Sequence, residues 1–147
     1  MPLGQRTPVM PAPTTEYVLD GTRITSLETF YDEISRVLIP NDGFFGRNLD
    51  AFNDILRGGF GTPDEGFTLI WINSASSRER LGYAETVRQL ELTLAECHPE
   101  SRDYVRRQLD LARSGTGPTV FDWLIKTIED HGPSGRQSRD NVRLVLT

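Results

Sequence analysis

Residues 67–72, FTLIWI, form a nearly unbroken apolar run built from β-branched and aromatic side chains. A run this short reads as a strand. Its continuity, with no polar alternation, predicts burial on both faces, as in a parallel sheet covered by helices. The neighbouring segments fit that expectation. Upstream, GGFGTPDEG at 58–66 reads as a loop, and before it lies an amphipathic helix with Asn48 as N-cap and Leu49, Phe52, Ile55 and Leu56 as its buried stripe. Asp50, Asn53, Asp54 and Arg57 fall on the other side of that helix.

Further upstream, YVLDG from Tyr17 predicts a short strand closed by an Asp-Gly turn. Thr25 and Glu28 form a T-x-x-E capping pattern. Leu27, Phe30, Ile34, Val37 and Leu38 then recur at helical spacing until Pro40. Downstream, Ser74, Ser76 and Ser77 offer helix starts. Tyr83, Val87, Leu90 and Leu94 mark one helix, and Pro99 opens another through Tyr104, Val105, Leu109 and Ala112. SGTGP at 114–118 breaks the pattern. Thr119 caps VFDWLIKTIEDH, and VRLVL at 142–146 closes the chain as a strand. Helical crossovers between strands imply parallel neighbours. The fold class is therefore α/β: a three-stranded parallel sheet packed with helices, with the helices of 83–118 as an addition before the last helix. Residues 1–15, with four prolines in the first 13, read as a flexible extension to a single domain over 16–147.

A 147-residue chain that is 25% charged and 37% hydrophobic has the composition of one globular domain. Its net charge of -5 argues against direct nucleic-acid binding, which needs clustered Lys and Arg, and suits a basic partner. No apolar run approaches the roughly 20 residues of a membrane span, and the N-terminus has no apolar signal core. The single Cys97 fits a reducing compartment. A cytoplasmic location is expected. Nucleotide-binding, metalloprotease, hydrolase and dithiol signatures are missing, so neither a cofactor, a metal nor an enzyme activity is expected. His98 and His131 read as surface residues near helix ends, and Trp71 and Trp123 as core.

One feature of helix 48–57 is not explained by helix physics alone. Asp50 and Asp54 are four residues apart, a spacing at which like charges cost an isolated helix about 0.2–0.5 kcal/mol. Asp50 lies in the first turn, where the helix dipole favours a negative charge. Asp54 lies beyond that help and has only Arg57 as a neighbour. Read without a partner, the pair is a solvated face; read chemically, it is an acid/base pair or a divalent-cation site that lacks a second ligand set.

The segment YVLDGTRITSLETFYDEISRVL, followed by FFGRNLDAFNDILRGG, resembles the barstar family of ribonuclease inhibitors. The phrase G-x-N-L-D-A-x-x-D-x-L-x-G from Gly46 to Gly58 carries the resemblance, supported by LIW at 69–71, the helix at 120–128 and the terminal strand. It implies an inhibitor of a small basic microbial ribonuclease, acting as a monomer in a 1:1 complex through this helix and its preceding loop. The position of Asp54 would be central, its carboxylate standing in for an RNA phosphate, with Asp50 as a second acidic contact. Phe44, Gly46, Asn48 and Leu49 match the family's turn and cap, Asn53 a contact on the exposed face, and Gly58 the helix exit. Phe60 in the following loop is a candidate for added contacts, and Glu129, beside Lys126, for an acidic contact on the last helix. Phenylalanine at 44 and asparagine at 53 replace the family's usual tyrosine and tryptophan, and Arg47 and Arg57 flank the acidic face. Two alternatives remain within reach of the sequence: an immunity protein against a different nuclease toxin, and a regulatory or scaffold domain binding a non-nuclease partner through 83–118.

Overall fold

The structure is a computed structural model that describes residues 12–39 and 46–147. Three parallel strands, β1 (Glu16–Asp20), β2 (Phe67–Ile72) and β3 (Val142–Leu146), lie in the order β1-β2-β3. Two helices, α1 (Leu27–Leu38) and α2 (Leu49–Arg57), connect the first two strands. Four more, α3 (Ser74–Arg80), α4 (Tyr83–Glu96), α5 (Arg102–Arg113) and α6 (Val120–Asp130), connect the last two. The α/β class, the parallel sheet and the bounds of the closing strand agree with the sequence reading.

One expectation is corrected. The inward row Leu19, Phe67, Leu69, Trp71 and Val142 is buried with the apolar stripes of α1, α2 and α6 in one cluster. The opposite row, in which Val18, Ile70 and Val145 stand side by side in register, is open: Val18 is 45% and Val145 43% exposed, and Ile70 is half-buried. Helices thus cover one face of β2, and Ile70 and Ile72 lie on the other. An apolar run records which residues fit a strand, and does not record how many faces are covered.

The α1 cap also shifts by one residue. Ser26, not Thr25, is the N-cap; its hydroxyl accepts from the Thr29 amide, and Thr29 Oγ1 accepts from the amides of both Ser26 and Thr25. Thr119 caps α6 as expected, with Asp122 completing the box.

The helices of 83–118 have a small core of their own, Leu90, Val105, Leu109 and Ala112, against which Trp123 packs from α6. Trp123 is half-buried and touches both clusters, while Trp71 is fully buried. The first turn of α4 is nevertheless tied into the main body. Glu85 accepts the first amide of α1, Leu27 N–H, at 2.8 Å, and Thr86 Oγ1 accepts the first amide of α6, Val120 N–H, at 2.8 Å. Two helix N-termini, whose first amides have no partner within their own helix, are thus satisfied from a third helix.

Two expected outcomes test these ties. Thr86→Val keeps the side-chain shape and leaves the buried Val120 amide without its acceptor, so unfolding free energy should drop by about 1–3 kcal/mol in urea titrations. The second concerns acid. Burial opposes ionisation of Glu33 and Glu85, but Arg36 and the Asp20 amide around the first, and Arg88 and the Leu27 amide around the second, outweigh it and hold both carboxyls below the ordinary value of 4.5. A carboxyl held lower in the folded chain than in the unfolded one contributes stability above the unfolded value and loses it as pH falls through the folded value. Stability should therefore fall as pH drops below about 4.5, and less steeply in Glu85→Gln, measured by urea unfolding across a pH series.

Candidate functional site

The helix α2 stands on a short, tightly specified entry. Arg47 takes a left-handed conformation at φ 54°, and its guanidinium pairs with Asp32 of α1. Asn48 then caps the helix: its Oδ1 accepts from the Ala51 amide at 2.8 Å, and its Nδ2 donates to the Gly46 carbonyl at 3.2 Å. A Cβ on Gly46 would come within 3.0 Å of Ala51 Cβ, so the turn is close-packed. Phe44 lies outside the described residues. Phe52, Ile55 and Leu56 enter the core, and Leu49 packs against its edge.

Asp50 and Asp54 are both exposed on the helix surface, as their place opposite the apolar stripe predicts. Among the described residues Asp54 makes one ion pair, to Arg57 at 3.4 Å, with both side chains more than half exposed. Such pairs contribute about 0–1 kcal/mol, so Asp54 is weakly committed within its own chain. Arg57 also donates from Nε to Gln137 at 3.0 Å.

The helix ends at Gly58, whose φ of 98° is a left-handed-region value that any other residue would adopt under strain. Phe60 is 41% exposed on the loop beyond. The far end of that loop is anchored: a Cβ on Gly66 would lie 2.3 Å from the Asn141 carbonyl, and Asn141 Nδ2 donates to the Glu65 carbonyl at 3.0 Å. Gly46, Asn48, Asp50, Asp54, Gly58 and Phe60 thus belong to one continuous segment. Glu129 does not join them. It lines a separate cleft with Pro133, Arg143 and Leu144 beside β3, while Lys126 pairs with Asp130 at 3.6 Å.

Two placements differ from the sequence reading. Asn53 is half-buried, and its amide lies 2.7 Å from Nε2 of His131. His131, expected at the surface, is fully buried, with Nδ1 2.6 Å from Asp140 Oδ2. With Nδ1–H donating to Asp140, a neutral ring offers Nε2 as an acceptor, which the Asn53 NH2 group can satisfy; a charged ring donates to Asn53 Oδ1. The amide serves either state by rotating. This bridge joins α2, the end of α6 and the segment before β3. No local pattern announces it, because Asn53 and His131 are 78 residues apart in the chain.

Among the described residues no group of three His, Cys, Asp or Glu side chains is arranged to hold a metal ion, and no helix is long and apolar enough to cross a membrane. A three-stranded parallel sheet carrying a capped acidic helix on its covered face defines a barstar-like α/β domain. The family described as Barstar (barnase inhibitor) matches residues 14–109, well over half of the chain, and the chain belongs to that family. The match begins ahead of β1 and ends within α5, so it includes the acidic helix, all of α4 and part of α5. No curated protein matches the chain significantly. At the family level, its members are inhibitors of barnase-type ribonucleases and not enzymes.

The bridge gives a measurable expectation for Asn53. Asn53→Leu leaves Nε2 of a fully buried imidazole without a partner, so the protein should lose about 1–3 kcal/mol of stability by urea unfolding. An unchanged midpoint would mean that the amide serves only at the surface.

Proposed function

We propose that this chain inhibits a small, basic microbial ribonuclease by covering its active site with α2 and the segments that flank it. The carrying observation is the Asp50–Asp54 pair, exposed on a helix fixed by Asn48, by Arg47–Asp32 and by the Asn53–His131 bridge. Asp54 is the central contact. Its carboxylate accepts from the cationic groups that bind RNA phosphate, and Asp50 adds a second negative charge one turn away. Gly46, Asn48, Leu49 and Gly58 shape the rim, and Phe60 supplies an apolar contact. Phe44 belongs with them by its place in the sequence. Asn53 acts chiefly from behind the face, through His131, and Glu129 would be reached only by a partner that extends to the β3 side.

The energetics favour such a partner. Repulsion between the two aspartates in the free protein turns into attraction once cations stand opposite both. Complementary charge speeds encounter, and charge-assisted hydrogen bonds to a buried carboxylate slow release. The complex is 1:1, the location cytoplasmic, and the role that of an immunity protein against the cell's own or a neighbour's nuclease.

A ribonuclease assay with a barnase-type enzyme tests this reading. Stoichiometric inhibition is expected, and Asp54→Ala should weaken it by 2 kcal/mol or more, roughly 30-fold. Raising the salt concentration should slow association in the parent protein and matter less in the variant. Inhibition equal in both proteins would move the contact away from Asp54.

A further inference from the structure

Beside the C-terminal end of α2, where Arg57 lies, the segment between α6 and β3 closes a cleft of about 500 Å³. Three guanidiniums line it, Arg57, Arg136 and Arg139, together with Gln137, Ser138 and Asp140. Such an assembly is unexpected in a chain of net charge -5. Like charges gathered in one concavity repel one another, and an internal carboxylate or an external anion relieves that repulsion.

Internal carboxylates do not fill that role. Asp140 is the one acid in the lining, and its Oδ2 is engaged by His131 at 2.6 Å. Asp54 pairs with Arg57 from the helix side at 3.4 Å and does not line the cleft. Arg136 and Arg139 make no ion pair or side-chain hydrogen bond to any described residue. Arg57 is held in place by its Nε bond to Gln137 and its Nη1 contact with Asp54, which leaves Nη2 for a ligand.

The cleft is also built on fixed backbone. Gln137 N–H donates to the Asp130 carbonyl at 2.7 Å, and Gly135 packs so closely that a Cβ there would lie 2.3 Å from the carbonyls of Glu129 and Asp130. Guanidiniums present parallel N–H donors that fit tetrahedral oxyanions, with Ser138 as a further donor. Three guanidiniums, one of them paired with Asp54, beside the engaged Asp140 carboxylate leave an excess of positive charge that favours a dianion over a monoanion. Among the described residues no aromatic side chain lines the cleft, so none of them would select a base by stacking.

We propose that the cleft formed by Arg57, Arg136 and Arg139 is a binding site for a phosphate dianion, as inorganic phosphate or as the terminal phosphate of a nucleotide. The site does not rest on the inhibitor reading: Asp54 touches it only through its contact with Arg57. Titration of the full chain with inorganic phosphate, with adenosine 5′-monophosphate, and with acetate and chloride at matched ionic strength tests it, read by calorimetry and by the backbone amide shifts of residues 136–140. Saturable phosphate binding is expected with a dissociation constant on the order of 1 mM, at least tenfold weaker in Arg136→Gln/Arg139→Gln. The exposed pair Arg106→Gln/Arg107→Gln on α5 should leave it unchanged. Equal affinity for both phosphates assigns the site to free phosphate, and tighter nucleotide binding assigns it to a phosphorylated nucleotide; either supports the proposal. Absence of saturation at tenfold that concentration, equal response to acetate or chloride, or equal loss in the Arg106/Arg107 control would overturn it.

Discussion

The architecture depends on the buried indole of Trp71. Its ring stacks on Phe30 of α1 at 5.5 Å and meets Phe121 of α6 at 5.2 Å, so the central strand is clasped by helices from both crossovers. Its N–H donates to Ser77 Oγ at 2.9 Å, and that hydroxyl in turn donates to the Gly21 carbonyl at 3.1 Å. The indole donor and the serine hydroxyl are thereby satisfied inside the core, where an unpartnered donor costs about 1–3 kcal/mol. Gly21 completes the arrangement by its size: a Cβ there would sit 2.4 Å from the Asn73 carbonyl. One side chain thus sets β2 against α1, α3, α6 and the turn after β1.

That frame fixes the position of α2 without dictating its surface. The helix is seated by Phe52, Ile55 and Leu56, then pinned at its entry by Asp32, at its middle by His131 and at its end by Gln137. A face held at Arg47, Asn53 and Arg57 loses little conformational freedom when another molecule covers it, and this favours tight association over adaptable association. Its charge is mixed. The aspartates occupy the centre and arginines the margins, so orientation of a partner is constrained by both signs.

The parts legible in the sequence were those with local causes. Asn48 and Thr119 announce their helices because a cap needs only a side-chain oxygen and the next turn. The terminal strand follows from an apolar run bounded by a polar loop. The α1 cap shows the limit of such reasoning, since two overlapping patterns, Thr25–Glu28 and Ser26–Thr29, compete and the hydroxyl of Thr29 decides for the second. The open face of β2, the burial of His131 and the gathering of Arg57 with Arg136 and Arg139 have distant causes. Each depends on which segments meet after folding, which periodicity within a segment does not encode.

The tie between α4 and the core bears on what could be removed from this chain. A helical pair with its own apolar cluster looks like a cassette that could be excised where it begins, at Tyr83. Glu85 and Thr86 forbid that cut, because α1 and α6 each begin on a hydrogen bond to one of them. Any deletion of the pair would therefore have to start inside α4, beyond its first turn, to keep the N-termini of α1 and α6 satisfied.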